Sequence, residues 1–321
     1  MIGTGSYVPE TILTNHDLEQ RLETTDRWIV ERTGVRARRI AAKDQATSDL
    51  AVLAGERALQ SAGVSADQLD LIIVATTTPD MLFPSTACLV QHRLGATRAA
   101  AFDLAAACSG FVYALSVGEQ FILTGRFQKV LVIGADMLSR FIDWTDRSTA
   151  VIFGDGAGAV VLSEATGSEG ILSHHLYSDG GLSNLIAIPG GGSANPPSEK
   201  MVLEKLNTVK MQGNETFKAA VRAMEDVARE TLKKNKLTPA DISYIVPHQA
   251  NIRIIKALAN RLEIGMDKIV TNLDQYGNTS AASIPIALDE AVRDGRIVKG
   301  ALILLLAFGS GLTWGSALIR W

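Results

Sequence analysis

Val64-Ser65-Ala66-Asp67-Gln68-Leu69-Asp70-Leu71-Ile72-Ile73-Val74 reads as a helix exit, a polar turn and an apolar strand. Leu237-Thr238-Pro239-Ala240-Asp241-Ile242-Ser243-Tyr244-Ile245-Val246-Pro247 repeats that grammar about 170 residues later. A second echo sets Thr124-Gly125-Arg126, ahead of an expected strand at 130–133, against Asp294-Gly295-Arg296, ahead of one at 302–306, at nearly the same separation. A third pairs Gly156-Ala157-Gly158-Ala159-Val160-Val161-Leu162 with Trp314-Gly315-Ser316-Ala317-Leu318-Ile319, each a glycine-punctuated strand closing its half. Three echoes in one order predict two similar halves, residues 1–165 and 166–321, packed together.

Between the strands, apolar residues at three- and four-residue intervals predict helices at 48–62, 108–124, 214–234, 251–262 and 281–293. Strands alternating with helices give an α/β fold, and continuously apolar strands belong to sheets covered by helices on both faces. The stretch 177–210, rich in Gly, Ser, Asn and Pro around Pro189-Gly190-Gly191-Gly192, is expected to be an irregular excursion of the kind that frames a site.

The 321 residues, 47% hydrophobic, suffice for a large core. A net charge of −3 and no long basic run argue against nucleic acid or an anionic membrane as a partner. No apolar run approaches the roughly 20 residues of a spanning helix, and no charged n-region precedes a hydrophobic stretch, so a soluble, cytoplasmic protein is expected. Two cysteines, Cys88 and Cys108, suit a reducing compartment with at least one free thiol. The chain begins at or just inside its first strand, Met1-Ile2-Gly3, which points to a few absent leading residues.

Cys108 lies in Phe102-Asp103-Leu104-Ala105-Ala106-Ala107-Cys108-Ser109-Gly110-Phe111, where small residues lead from a strand into a helix. A lone Cys in an Ala-rich run is commonly a buried small hydrophobe. At a helix N-terminus, however, the dipole and free N–H groups favour thiolate, and small neighbours admit a substrate. Cys88, within Ala87-Cys88-Leu89-Val90, lacks that setting and is expected in the core.

His248, in Pro247-His248-Gln249-Ala250-Asn251, follows an expected strand, at the end where open α/β sheets gather ligands. Asn278, in Gln275-Tyr276-Gly277-Asn278-Thr279-Ser280-Ala281-Ala282-Ser283, opens a helix after a glycine turn and holds the place in its half that Cys108 holds in the other. Thiol, imidazole and carboxamide in this order fit two chemistries. A Cys–His–Asn hydrolase uses His as base and Asn to orient it. A carbon–carbon bond former holds an acyl group on the thiol while the other two stabilise an enolate oxygen.

These motifs, with Phe153-Gly154-Asp155-Gly156-Ala157-Gly158-Ala159 and the closing Trp314-Gly315-Ser316-Ala317-Leu318, resemble the thiolase superfamily, and within it the β-ketoacyl-[acyl-carrier-protein] synthase III family, from Ile2 to Trp321. The resemblance implies a thiolase-like five-layered αβαβα fold with two pseudo-symmetric halves. It also implies a ping-pong acyl transfer without a cofactor or metal, in which acyl-CoA acylates Cys108 and malonyl-acyl carrier protein then enters. His248 and Asn278 stabilise its enolate, and the backbone N–H groups of Cys108 and Ser310 form the oxyanion hole. Ser310 stands where many members carry Gly.

Further implied roles are CoA binding by Trp28, Arg32, Arg147, Gly213 and Asn251. Phe83 would enter the acyl pocket of the other subunit of a homodimer. Gln249, Ala250, Asn251, Ile252, Arg253 and Lys218 would meet the carrier protein. The chain lacks the second catalytic cysteine of classical thiolases, and Asn278 replaces the second histidine of elongating synthases; both departures favour the priming class. The alternatives are a same-triad condensing enzyme of a quinolone or polyketide-type pathway, a Cys–His–Asn hydrolase, and a non-catalytic scaffold.

Overall fold

The computed structural model describes residues 1–165 and 167–321. Leu71–Ala75 lies parallel to both Ala100–Leu104 and Lys129–Met137 in a five-stranded sheet. Asp155–Ser163 then pairs antiparallel with Lys129–Met137, and Gly3–Tyr7 closes that edge. In the second sheet Tyr244–Pro247 lies parallel to Leu302–Gly309, followed antiparallel by Thr313–Arg320 and Gly170–Ser178. Every echoed strand thus stands at the equivalent place, in the equivalent sense. An isolated parallel bridge between Ile245 and Ile269 marks the position that Ala100–Leu104 fills in the first sheet. The expected boundary at 165/166 falls where residue 166 lies outside the described residues.

Side chains alternate across a strand, which explains why these strands are apolar throughout. Ile72 and Val74 pack with Leu50, Ala54 and Val90 of the outer helices Thr47–Ala62 and Thr86–Leu94. Leu71 and Ile73 face the other way, onto Phe111 and Leu115 of Gly110–Leu123 and Leu288 of Ser283–Arg293. That middle layer also takes Ile303 and Leu305, while Leu304 and Leu306 turn outward to Met224 of Gly213–Lys234 and Leu258 of Ile252–Leu262. Helix, sheet, helix, sheet, helix gives the five-layered thiolase fold. The central helix approaches closely because residue 158 is glycine: a Cβ there would lie 2.7 Å from the backbone nitrogen of Ile286.

Two expectations need correction. Cys88 is exposed, because its side chain falls off the helix face carrying Ala87 and Val90. The 177–210 excursion is partly ordered: Tyr177 and Ser178 are the last residues of a strand of the second sheet, Glu199–Leu203 is a short helix, and Ile186–Ala187 pairs with Lys210–Met211. Among the described residues no helix is long and apolar enough to cross a membrane.

Candidate active site

The two central helices start alike. A tight turn, Ala107–Ser109, precedes Gly110–Leu123, and another, Ser280–Ala282, precedes Ser283–Arg293. Each turn begins with a non-glycine residue in the left-handed region, Ala107 at φ 48° and Ser280 at φ 53°. The first turn presents Cys108, and the loop before the second presents Asn278. Asn278 is anchored by its own backbone, which donates to Ile152 O at 2.9 Å and accepts from Gly154 N at 3.0 Å.

His248 follows the strand Tyr244–Pro247 and is held there by its N–H, which donates to Leu306 O at 2.8 Å. Its Nδ1 lies 2.6 Å from Ser283 Oγ. Ser283 Oγ also accepts the Gln249 backbone N–H at 3.3 Å, and among the described residues Nδ1 is the one acceptor within reach of its buried hydroxyl proton, which therefore goes to Nδ1. The ring hydrogen is then on Nε2, and burial pushes His248 down to about 3, keeping the imidazole neutral at pH 7. The Ser280 N–H donates to Asn278 Oδ1 at 2.9 Å, turning the amide NH2 toward the cavity. Both cavity-facing groups are therefore N–H donors.

Cys108 also departs from expectation. Burial pushes its thiol up to about 12; the Ser280 side chain lowers it and the Asp136 carboxylate raises it further. Desolvation is the largest of these effects and favours the protonated thiol. Asp136 is itself buried, held by Thr76, Thr77 and Thr78 through one oxygen and by Ala281 N at 3.2 Å through the other. Among the described residues the backbone N–H of Ser310 makes no intramolecular hydrogen bond, and the turn that carries it packs directly on Cys108. Gly309 permits this: a Cβ there would lie 2.7 Å from Cys108 N.

Cys108 lies between two cavities. One, of about 340 Å³, is lined by Cys108, His248 and Asn278 at its inner end and by Trp28, Arg32 and Asn251, among others, toward its mouth. The other, about 230 Å³ and mainly apolar, is lined by Cys108, Leu138, Phe153, Ile188, Val209 and Ser310, among others. Trp28 carries the Arg32 guanidinium 5.5 Å from its ring centre and that of Arg147 at 4.6 Å. Gly213, Ala250 and Arg253 line the first cavity, and Asn251 caps Ile252–Leu262 by accepting from Arg253 N at 2.8 Å. Lys218 is exposed and paired with Glu215; Ile252 is half-buried against the core.

Gln249 cannot meet a partner. It is buried, its amide donating to Pro247 O and Val270 O while its oxygen accepts Asn272 N. Phe83 is 84% exposed and lines neither cavity of its own chain. The residues that sequence reading missed are Ser283, Asp136 and Phe308, the last lining the first cavity. Ser283 sat in a quoted motif, but nothing local marked its pairing with a histidine 35 positions away.

A Cys–His–Asn hydrolase needs the carboxamide oxygen on the imidazole. Here that oxygen is bound to Ser280 N, and Ser283 holds the imidazole. Two N–H donors facing a half-buried thiol suit stabilisation of an enolate oxygen beside a bound acyl group.

Comparison with known proteins agrees. The family model described as 3-Oxoacyl-[acyl-carrier-protein (ACP)] synthase III matches residues 102–180, and that of its C terminal matches 232–321. The chain is 54% identical to a beta-ketoacyl-[acyl-carrier-protein] synthase III of Caldanaerobacter subterraneus subsp. tengcongensis, over 100% of this chain and 97% of the relative. It is 55% identical to that of Thioalkalivibrio sulfidiphilus, over 99% and 98%. The crystal structure of a 3-oxoacyl-[acyl-carrier-protein] synthase III from Aquifex aeolicus superposes with a TM-score of 0.93 at 49% identity, covering 100% of this chain and 99% of that one.

Proposed function

The chain belongs to the 3-oxoacyl-[acyl-carrier-protein] synthase III family, and on that premise we propose that it condenses a short acyl-CoA with malonyl-acyl carrier protein, using Cys108, His248 and Asn278. It is an acyltransferase that initiates fatty acid synthesis. In the first half-reaction the Cys108 sulfur attacks the acyl-CoA carbonyl, the C–S bond to CoA breaks, and the thiol proton ends on the departing CoA sulfur. The N–H groups of Cys108 and Ser310 receive the developing oxyanion.

In the second half-reaction the malonyl carboxylate leaves as CO2, and its electron pair passes into an enolate whose oxygen accepts from His248 Nε2 and Asn278 Nδ2. The enolate carbon attacks the acyl-Cys108 carbonyl, the Cys108 sulfur leaves and takes up a proton, and a 3-oxoacyl-carrier protein is released. Decarboxylation supplies the carbanion, so no cofactor or metal is needed. The observation that carries this reading is the pair of N–H donors, His248 Nε2 and Asn278 Nδ2, beside a thiol with an apolar cavity behind it.

Trp28, with Arg32 and Arg147 against its ring, offers stacking for the CoA adenine, and Gly213 and Asn251 lie along the same mouth. Arg253 and Lys218, with Ala250, Asn251 and Ile252 beside them, form the rim offered to an acidic carrier protein. A homodimer would cover Met81, Leu82 and Phe83, which are 47%, 82% and 84% exposed, and would bring Phe83 to the partner's acyl cavity. Asp80, bound to Ser48, and Asp103, bound to Thr86 N and Ala87 N, brace that loop at both ends. The matched sheets support two halves at 1–165 and 166–321, and two free thiols suit the cytoplasm.

The test is intact mass after incubation with short acyl-CoAs. One acyl adduct is expected on the wild type and none on Cys108→Ala; a wild type left unmodified by every primer would overturn the proposal.

A further inference from the structure

The acyl cavity has one slender wall. Ile186, Ala187 and Ile188 line it, and Ile186–Ala187 is a two-residue strand whose one ladder partner among the described residues is Lys210–Met211. So short a ladder has little stability of its own. Against the catalytic turn it is held by the Ser310 hydroxyl, which donates to the Ile186 carbonyl at 2.5 Å.

Ser310 is firmly set. Thr313 Oγ1 lies 3.0 Å from Ser310 O and 2.9 Å from Ala106 O, next to the Cys108 turn, and shares its one hydrogen between them. Leu312 and Asp179 exchange two backbone hydrogen bonds of 2.8 Å, bracing the same turn. One residue therefore joins the oxyanion site, through its backbone, to the far wall of the acyl cavity, through its side chain. Ile186 and Ile188 also pack on a cluster that includes Leu138, Ile142, Phe153 and Val209, so the hydroxyl sets the wall's position on the side of the catalytic turn.

We propose that Ser310 is a specificity-determining positioning residue: its hydroxyl fixes the Ile186–Ile188 wall against the catalytic turn and thereby limits the length of acyl group that Cys108 accepts. This rests on the acyl-transfer reading of the site. Without the hydroxyl the Ile186 carbonyl loses its partner, the wall can move outward, and longer chains enter. The 230 Å³ cavity is the volume the wall now encloses.

The experiment is kcat/KM for acylation of Cys108 by saturated acyl-CoAs of two, four, six and eight carbons, in the wild type, Ser310→Ala and Ser310→Thr. Whatever the absolute rates, Ser310→Ala is expected to raise the eight-carbon to two-carbon ratio about tenfold, chiefly through KM. Ser310→Thr, which keeps a hydroxyl, is expected to hold the wild-type ratio. An equal loss at every length, or an unchanged profile in Ser310→Ala, would overturn the assignment. If the wild type is acylated by none of the four, the acyl-transfer reading falls, and the wall assignment with it.

Discussion

Ala107 and Ser280 share a left-handed backbone, φ 48° and 53°, each at the first residue of a turn that feeds a central helix. Neither is glycine, so each turn carries conformational strain on the order of 1 kcal/mol, imposed by the packing around it. Ala107→Gly relieves that strain and is expected to raise stability by up to about 1 kcal/mol, whereas the β-branched Ala107→Val should lower it by at least that much. Chemical denaturation of both variants checks the sign.

The hydroxyl of Ser283 directs the hydrogen of His248 to Nε2. Its removal in Ser283→Ala leaves the imidazole free to adopt the other tautomer. A net hydrogen bond of about 1 kcal/mol corresponds to roughly a fivefold slower decarboxylation of malonyl-carrier protein. Cys108 acylation should slow less, and a larger effect on acylation than on decarboxylation would reject the assignment.

His248 titrates in the unfolded chain near 6.5 and, because of burial, at about 3 in the folded one. Below pH 6.5 the unfolded state binds a proton that the folded state does not. Stability is therefore full above pH 6.5 and falls on acidification by up to about 1.4 kcal/mol per unit until pH approaches the folded value. His248→Gln should lose this component, which unfolding titrations at pH 7.5 and 5.5 would detect as a smaller difference than in the wild type.

Gly309→Ala would place a methyl group 2.7 Å from Cys108 N and 3.0 Å from Ser109 N, both backbone atoms. The turn has to yield, and the Cys108 N–H turns away from the carbonyl oxygen. Acylation is expected to fall about 100-fold, the loss seen when one oxyanion donor is removed. A rate within threefold of wild type would separate this contact from catalysis.

The echoes beginning at Val64 and Leu237 marked the elements that became equivalent strands of two sheets, because an apolar strand between a polar turn and a helix is encoded locally. The small residues around Cys108 and the polar flanks of His248 and Asn278 were legible for the same reason. Cys88 was misread because helical periodicity alone does not say which face meets the core. Gln249 was misread because its three partners come from both ends of a strand-and-helix passage, Pro247, Val270 and Asn272.

By itself the sequence determined the α/β fold and singled out Cys108, His248 and Asn278 as the candidate site residues, since each depends on short runs of residues with a fixed grammar. Tertiary structure alone decided how those groups are protonated and what they touch. The thiol of Cys108 is raised and the imidazole of His248 lowered by burial, a property of segments folded over them from far along the chain. Likewise the contacts of Ser283 with His248 and of Ser310 with Ile186 join residues 35 and 124 positions apart, and only packing brings such groups within hydrogen-bond reach.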